Sequence, residues 1–269
     1  MAEIKTKTGK ASKKASSKDF IKFLGTAGAR FVMIEQLRSS GGIWISYKGA
    51  QIMIDPGPGA LVRCAASKPR LNPLLLDGVI LTHRHLDHSG DVNVMIEAMT
   101  EGGFKRKGVV FCPEDAIAED TVILRHVTGF PEKIEILKPE STYSVKTFSF
   151  TTAMRHVHPV ETYGFKTKLN NTSIGFLCDT RYFAGLIDFY KELDVLVLYV
   201  VFVEPRPGVD HLSLFEAEQL ISELRPKKVI LTHFGMSMLK AKPHFLAEDL
   251  TQRLGIEVVA AYDGMTFPV

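Results

Sequence analysis

Short apolar runs that end in turns alternate along the chain with segments whose apolar residues recur at helical spacing. Alternating apolar and polar residues predict hairpins at 43–54 and 163–177, and the continuous apolar run 194–203 predicts a buried central strand. Helical spacing predicts amphipathic helices at 92–99 and 213–224. Because strands and helices alternate in both halves, we predict an α/β (α+β) fold of two mixed β-sheets packed face to face, with helices outside.

The N-terminal segment differs from the rest of the chain in composition. Residues 1–18 hold six lysines and one acid, so residues 19–269 contain 27 basic and 29 acidic residues, although the whole chain has a formal charge of +3. We expect residues 1–18 to form a flexible basic tail. Residues 19–269 should form one domain, because no linker interrupts them. Such a nearly neutral domain argues against a long nucleic-acid groove, which needs a basic face.

Cysteine usage and hydropathy bear on the compartment. The three cysteines, Cys64, Cys112 and Cys178, have no Cys-x-x-Cys spacing, which argues for a reducing compartment and against a disulfide framework. No segment has the apolar core of a signal peptide or the length of a membrane span. We therefore expect a cytoplasmic protein without a membrane partner.

The densest candidate chemistry lies in the segment 79–91, which reads Val-Ile-Leu-Thr-His-Arg-His-Leu-Asp-His-Ser-Gly-Asp. Its apolar start predicts a buried strand, and that strand runs directly into His83, His85, Asp87 and His88. Buried imidazoles this close would lack hydrogen-bond partners, and charged ones would repel one another. Because imidazole nitrogens and carboxylate oxygens are ordinary metal ligands, the pattern predicts a metal site.

The pentapeptide Val-Ile-Leu-Thr-His at 79–83 recurs unchanged at 229–233. Two strands should therefore each deliver a histidine at their carboxyl end, the second being His233, and α/β folds build their sites at that end. Asp179 also follows an apolar strand. It is a candidate for a carboxylate that bridges two metals, or for the cap of a helix.

Several other residues carry alternatives that the sequence leaves open. Alternation along an extended segment would put His156 and His158 on the same face. Asp55, in a turn after a strand, could orient a metal-binding histidine or cap the turn. His211 precedes a helix-capping box and could take part in catalysis or simply flank the helix.

These motifs resemble, in their order along the chain, those of the metallo-β-lactamase fold superfamily. The most specific of them is His-x-His-x-Asp-His at 83–88. The others are Phe-Leu-Gly-Thr at 23–26, Ile-Asp-Pro-Gly at 54–57, Cys-Asp-Thr at 178–180 and Leu-Thr-His-Phe at 231–234. The resemblance covers nearly the whole chain from Asp19 on, and it is greatest to the branch of ribonuclease Z and related small phosphodiesterases. It implies a four-layer αββα sandwich.

The resemblance also implies two divalent metal ions, with Zn as the first choice and Mn or Fe as alternatives. The implied ligands of one ion are His83, His85 and His158, those of the other are Asp87, His88 and His233, and Asp179 bridges the two. His156 is the alternative to His158, which we prefer because its six-residue step to Gly164 matches the branch. His126 and His244 match no motif of the family.

The implied activity is hydrolysis of a phosphodiester by a metal-bridging hydroxide, which Asp87 positions, while His211 stabilises the transition state or protonates the leaving oxygen. A lactone or thioester is the alternative substrate, because the metals polarise either electrophile. Only the residues 159–178 stand where ribonuclease Z carries a long arm for gripping transfer RNA. We therefore expect a small-molecule or short-nucleotide substrate rather than a long RNA. Dimers are common in this branch, so the resemblance also implies a homodimer.

Overall fold

The computed structural model describes residues 19–118 and 120–269, so the predicted basic tail lies outside the described residues. Within this part of the chain the strands form two seven-stranded sheets. The strands of the first sheet are β1 (Phe20–Phe23), β2 (Ile43–Tyr47), β3 (Ala50–Ile54), β4 (Gly78–Ile80), β5 (Val109–Cys112), β6 (Lys133–Ile136) and β14 (Thr266–Pro268).

The second sheet is built from the later part of the chain. Its strands are β7 (Thr142–Val145), β8 (Phe148–Thr152), β9 (Phe165–Leu169), β10 (Thr172–Leu177), β11 (Val195–Tyr199), β12 (Lys228–Thr232) and β13 (Glu257–Ala260). The α-helices are α1 (Ala29–Ile34), α2 (Ala60–Ala66), α3 (Leu86–Ser89), α4 (Val92–Met99), α5 (Gly185–Tyr190), α6 (Leu214–Leu224), α7 (Met236–Lys240) and α8 (Pro243–Leu254).

Both sheets are mixed, as the alternation of hairpins and helices predicts. The first has the order β14-β1-β2-β3-β4-β5-β6 and the second β13-β12-β11-β10-β9-β8-β7. In each, four neighbouring strands run parallel, β3 to β6 and β10 to β13, and the remaining pairs are antiparallel.

Three buried apolar clusters hold the layers together. One lies between the sheets and includes Ile45 and Phe176. A second, which includes Trp44, joins the first sheet to α2 and α4, and a third joins the second sheet to α5, α6 and α8. Burying apolar area at three interfaces is the main force that stabilises such a sandwich. The predicted αββα architecture is confirmed.

The parallel strands bring the candidate ligands to one edge. Ile54 pairs with Ile80 where β3 and β4 end side by side. Tyr199 pairs with Thr232 at the corresponding ends of β11 and β12. The segments that follow these strands therefore leave both sheets at the same edge, where the two sheets face each other.

Local predictions had mixed outcomes. The predicted hairpins are confirmed as β2–β3 and β9–β10, and Ser213 forms the predicted capping box of α6 with Glu216. The strand expected at 194–203 was too long, because β11 ends at Tyr199.

Candidate metal centre

The first group of candidate ligands is His83, His85 and His158. The chain leaves β4 and passes through His83 and His85 before α3 begins, while His158 comes from the irregular segment between β8 and β9. The Nδ1 atom of His85 lies 3.1 Å from Nε2 of His83 and 3.0 Å from Nε2 of His158. Three imidazoles, two from the loop after β4 and one from the segment between β8 and β9, thus direct one nitrogen each at a common point.

Hydrogen bonds assign the protons in this group. Nδ1 of His158 lies 2.8 Å from the carbonyl oxygen of Asp210, which can only accept, so this nitrogen carries the proton. The Thr82 hydroxyl donates to Asp55 and therefore accepts from Nδ1 of His83, 3.1 Å away. The Nε2 atoms of His83 and His158 then each direct a lone pair at His85, whose Nδ1 can donate at most one proton. A cation would satisfy all three nitrogens, so this donor set fits a metal.

The second group is Asp87, His88 and His233. The Nε2 atoms of His88 and His233 are 2.9 Å apart, and Oδ2 of Asp87 lies 3.7 Å from the first and 3.5 Å from the second. Nδ1 of His88 donates to Asp55 at 2.9 Å, so Nε2 is the nitrogen that faces the group. As in the first group, potential ligand atoms lie close together and point at a common position.

Asp179 lies between the two groups. Its Oδ2 atom is 3.6 Å from Nε2 of His83 and 3.4 Å from Nε2 of His88, and its Oδ1 atom is 3.2 Å from Nδ1 of His233. The carboxylate is almost fully buried, and Oδ1 and the facing His233 nitrogen both lack a hydrogen bond. A buried carboxylate oxygen without a partner is costly, and a bound cation would satisfy it.

The pKa directions agree with a cation-binding cluster. Burial, followed by the charge of His158, lowers the pKa of His85 to about 4, so this imidazole is neutral at physiological pH, as a ligand must be. Burial alone would raise the pKa of Asp179, but His233 and His211 outweigh it and hold that pKa well below its ordinary value. Burial alone would lower the pKa of His88, but Asp87 and Asp55 raise it. A raised pKa means that the acidic neighbours favour a positive charge on His88, and a cation between these groups would supply that positive charge in place of a proton.

Asp55 holds the imidazole of His88 from behind. Its carboxylate accepts from the backbone N–H of Thr82 at 2.7 Å, from the Thr82 hydroxyl at 2.8 Å and from Nδ1 of His88 at 2.9 Å. Of the two alternatives left open by the sequence, these contacts match the orienting role. Thr82 itself was missed, although the threonine before each repeated histidine was a signal that could have pointed to it.

His156 and His158 do not share a face, because the chain between β8 and β9 bends instead of running as a strand. His158 reaches the first group, whereas buried His156 lies with Nδ1 3.2 Å from the carbonyl oxygen of Asp179 and Nε2 3.3 Å from the Tyr190 hydroxyl. The expectation of a shared face is wrong.

His211 lies beside the cluster. Its Nδ1 atom is 3.6 Å from Oδ2 of Asp179, and its ring centre is 5.0 Å from that of His158. Burial alone would lower the pKa of His211, but the Asp179 carboxylate outweighs burial and raises it. His126 and His244 are exposed and belong to none of the ligand groups in the described chain.

Two arginines flank the His158 and His211 side of the cluster. The Arg181 side chain lies 3.9 Å from the Asp210 carboxylate, and the Arg206 guanidinium lies 4.4 Å above the ring of Phe202. That ring is 6.2 Å from the imidazole of His211. Phe202 was not predicted as a site residue, because an aromatic residue inside an apolar run carries no functional signal.

The family assignment rests on a match over most of the chain. Residues 50–234 match the model of the Beta-lactamase superfamily domain. The chain belongs to the beta-lactamase superfamily. Together with the clustered histidines and aspartates, this membership makes the protein a metal-dependent hydrolase. In the described residues of this superfamily member, no helix has the length and apolar character needed to cross a membrane.

Individual relatives of this beta-lactamase superfamily chain are distant in sequence. It is 28% identical over 252 residues to the uncharacterized protein MJ1374 of Methanocaldococcus jannaschii, covering 90% of this chain and 92% of that protein. The crystal structure of the metallo-beta-lactamase fold protein YhfI from Bacillus subtilis matches with a TM-score of 0.74 at 18% identity, covering 94% of this chain and all of that one. A diphosphatase of the PhnP family matches with a TM-score of 0.69 at 18% identity, covering 94% and 98%. At these identities the solved structures support the shared fold alone.

Proposed function

We propose that the protein is a dinuclear metal-dependent hydrolase that cleaves a phosphodiester in a small molecule or short nucleotide. The observation that carries the dinuclear part is the position of Asp179, whose carboxylate is within 3.6 Å of nitrogens from both histidine groups. One cation would be held by His83, His85 and His158, the other by Asp87, His88 and His233, with Asp179 shared. Zn is the first choice, because imidazole nitrogens dominate the set, with Mn or Fe as alternatives.

Two such cations would supply a Lewis acid for the electrophile and would activate water for the attack. The remaining chemistry falls to the side chains. Asp87, partly exposed at the mouth of the cluster, can accept a hydrogen bond from the attacking water and hold it in place. His211, whose pKa the neighbouring Asp179 carboxylate raises, can donate from its ring to the leaving oxygen.

The choice of a phosphodiester rests on charge at the rim. Arg181 and Arg206 lie on the side of the cluster that holds His158 and His211, and both are exposed. A substrate that keeps a negative charge would be attracted by these guanidinium groups, which match the geometry of phosphate oxygens. Arg84 is less suited to this role, because its ion pair with Asp115, at 3.2 Å, is shorter than that of Arg181 with Asp210, at 3.9 Å. One protein of similar fold, the PhnP-family structure, is a diphosphatase, which is compatible with this proposal.

A lactone or thioester is the second candidate substrate. Leu86, between two ligand-bearing positions, is 64% exposed, and Met236, three residues after His233, is 41% exposed. Exposed apolar side chains next to the ligand loops would favour an acyl substrate with a hydrocarbon tail. The same cations would polarise a carbonyl oxygen as well as a phosphoryl oxygen.

The test is to purify the protein without chelator, count the bound metals by elemental analysis, and assay the same sample with bis-p-nitrophenyl phosphate, a lactone and a thioester. Close to two metals per chain with metal-dependent phosphodiester cleavage would support the proposal. Turnover of only the lactone or thioester would move the substrate to the second candidate. No bound metal, even after Zn or Mn is supplied, would contradict the dinuclear site.

The role of His211 has its own experiment. Because positioned acids contribute roughly 100- to 10,000-fold to rate, we expect His211→Ala to lower kcat by about that factor with metal content unchanged. His244→Ala, which removes an exposed imidazole on α8, is the matched control and should behave like the wild type. Loss of a metal from the His211→Ala variant would instead make His211 a ligand, as its proximity to His158 and Asp179 would allow.

A further inference from the structure

We infer that a cleft away from the metal centre, between β1, the end of α2 and the turn before β14, binds a small tetrahedral oxyanion such as phosphate or sulfate. The cleft has a volume of about 220 Å³. Its lining residues are Lys22, Leu24, Arg63, Ala66, Ser67, Lys68 and Gly264. Three of these seven residues are cationic and none is acidic, which is an unusual composition for a half-enclosed cleft in a nearly neutral domain.

Lys22 is the central residue of this cleft. It lies in β1 and is only 3% exposed, although lysine is almost never buried without a charged partner. Its ammonium donates to the carbonyl oxygen of Lys68 at 3.1 Å and to the hydroxyl of Thr266 at 2.9 Å. Neither acceptor carries a negative charge, and one of its three N–H donors has no partner in the described part of the chain.

A second cation lies close to Lys22. Arg63 uses its Nε atom to donate to the carbonyl oxygen of Leu24 at 3.1 Å, which leaves the two terminal nitrogens of the guanidinium for another acceptor. Among residues 19–118 and 120–269, no ion pair involves Lys22, Arg63 or Lys68. Burial, followed by the charge of Arg63, accordingly lowers the pKa of Lys22. A bound anion would oppose both effects, because a nearby negative charge raises the pKa of an ammonium group.

A third kind of donor completes the cleft. The hydroxyl oxygen of Ser67 is buried and has no hydrogen-bond partner in the described chain. An ammonium, a guanidinium and a hydroxyl around one cleft offer several donors, which suits an oxyanion with four oxygens better than a halide. The cleft shares no lining residue with the depression over His88 and His233, so this proposal stands independently of the hydrolase function.

The experiment measures phosphate binding to the metal-loaded protein by calorimetry and by the shift in Tm. Lys22→Met and Arg63→Gln each remove one of the cations, and Lys105→Met is the control because Lys105 is an exposed lysine that pairs with Glu101 and does not line the cleft. We expect phosphate to raise the Tm of the wild type and of Lys105→Met. Since a hydrogen bond to a charged group contributes about 1.5–3 kcal/mol, the dissociation constant should rise at least about tenfold in Lys22→Met and Arg63→Gln.

The two cleft variants also separate the cleft from the metal centre, because phosphate bound at the metal centre would still bind to them. A binding component that is present in the wild type and in Lys105→Met but absent from both cleft variants supports the inference. Equal phosphate binding in all four proteins would overturn it, as would a wild type whose Tm phosphate leaves unchanged. If the buried Lys22→Met variant does not fold, the partly exposed Arg63→Gln variant decides alone.

Discussion

Replacing Asp55 by asparagine is the sharpest test of how the second ligand group is held. The substitution keeps the size of the side chain but turns one carboxylate oxygen into an N–H₂ group, which can only donate. Oδ1 accepts from the backbone N–H of Thr82, and Oδ2 accepts from the Thr82 hydroxyl and from Nδ1 of His88. Whichever way the amide is turned, at least one donor will face another donor.

The expected magnitude follows from those contacts. One hydrogen bond to a charged group contributes about 1.5–3 kcal/mol, so the free energy of unfolding should fall by at least about that amount. Substituting a residue that orients a metal ligand typically weakens metal affinity by about 10- to 100-fold. We expect the larger loss at the group formed by Asp87, His88 and His233, because Asp55 touches His88 directly and reaches His83 only through the Thr82 hydroxyl.

The assay is chelator competition for each metal, combined with urea unfolding. Asp194→Asn is the matched control, because Asp194 accepts from the backbone N–H and the hydroxyl of Ser173, both at 2.8 Å, at the opposite end of β11. That variant should lose stability yet keep both metals. If Asp55→Asn retains both metals with wild-type affinity, Asp55 merely caps its turn and the orienting role is refuted.

Three further predictions follow from burial and close packing. Gly28→Ala should weaken metal binding, because its Cβ would lie 2.0 Å from the carbonyl oxygen of His233; wild-type metal content by elemental analysis would contradict this. Chelation should lower the Tm of the metal-loaded protein, since it leaves convergent lone pairs unsatisfied, and an unchanged Tm in calorimetry would contradict that. Burial raises the pKa of Cys64 and of Cys112 to about 12, so iodoacetamide should leave both unmodified in the native protein at mildly alkaline pH; rapid labelling in an intact-mass measurement would refute it.

The sequence was most informative where chemistry and strand ends coincide. The loop from His83 to His88 and the strand end at His233 could be recognised because apolar runs of a fixed pattern lead directly into potential ligands. The sheet-on-sheet architecture followed from the same periodicity. Short elements without strong periodicity were missed, among them α1, α5 and β14, since six- and three-residue segments are defined by their tertiary contacts rather than by their own pattern.

Alternation could not separate His156 from His158, because it assumes an extended chain. The segment between β8 and β9 instead bends back on itself, as the N–H of His156 donates to the carbonyl oxygen of Thr162 within the same segment. One imidazole then reaches the ligand group, and the other contacts the backbone carbonyl of Asp179. Only the comparison with a family motif favoured His158, and no local rule would have done so.

The repeated pentapeptide shows that identical local sequences need not have identical backbone conformations. In both copies a buried strand delivers a histidine to the same edge, but His233 adopts a left-handed backbone with φ of 61°, and His83 does not. A left-handed conformation at a non-glycine residue costs on the order of 1–3 kcal/mol and persists only where the surroundings impose it. Here Phe234 donates its N–H to the carbonyl of Thr26 and accepts from Gly28, which ties the turn to the chain after β1. The two histidines therefore present different nitrogens to Asp179, Nε2 from His83 and Nδ1 from His233, although their local sequences are the same.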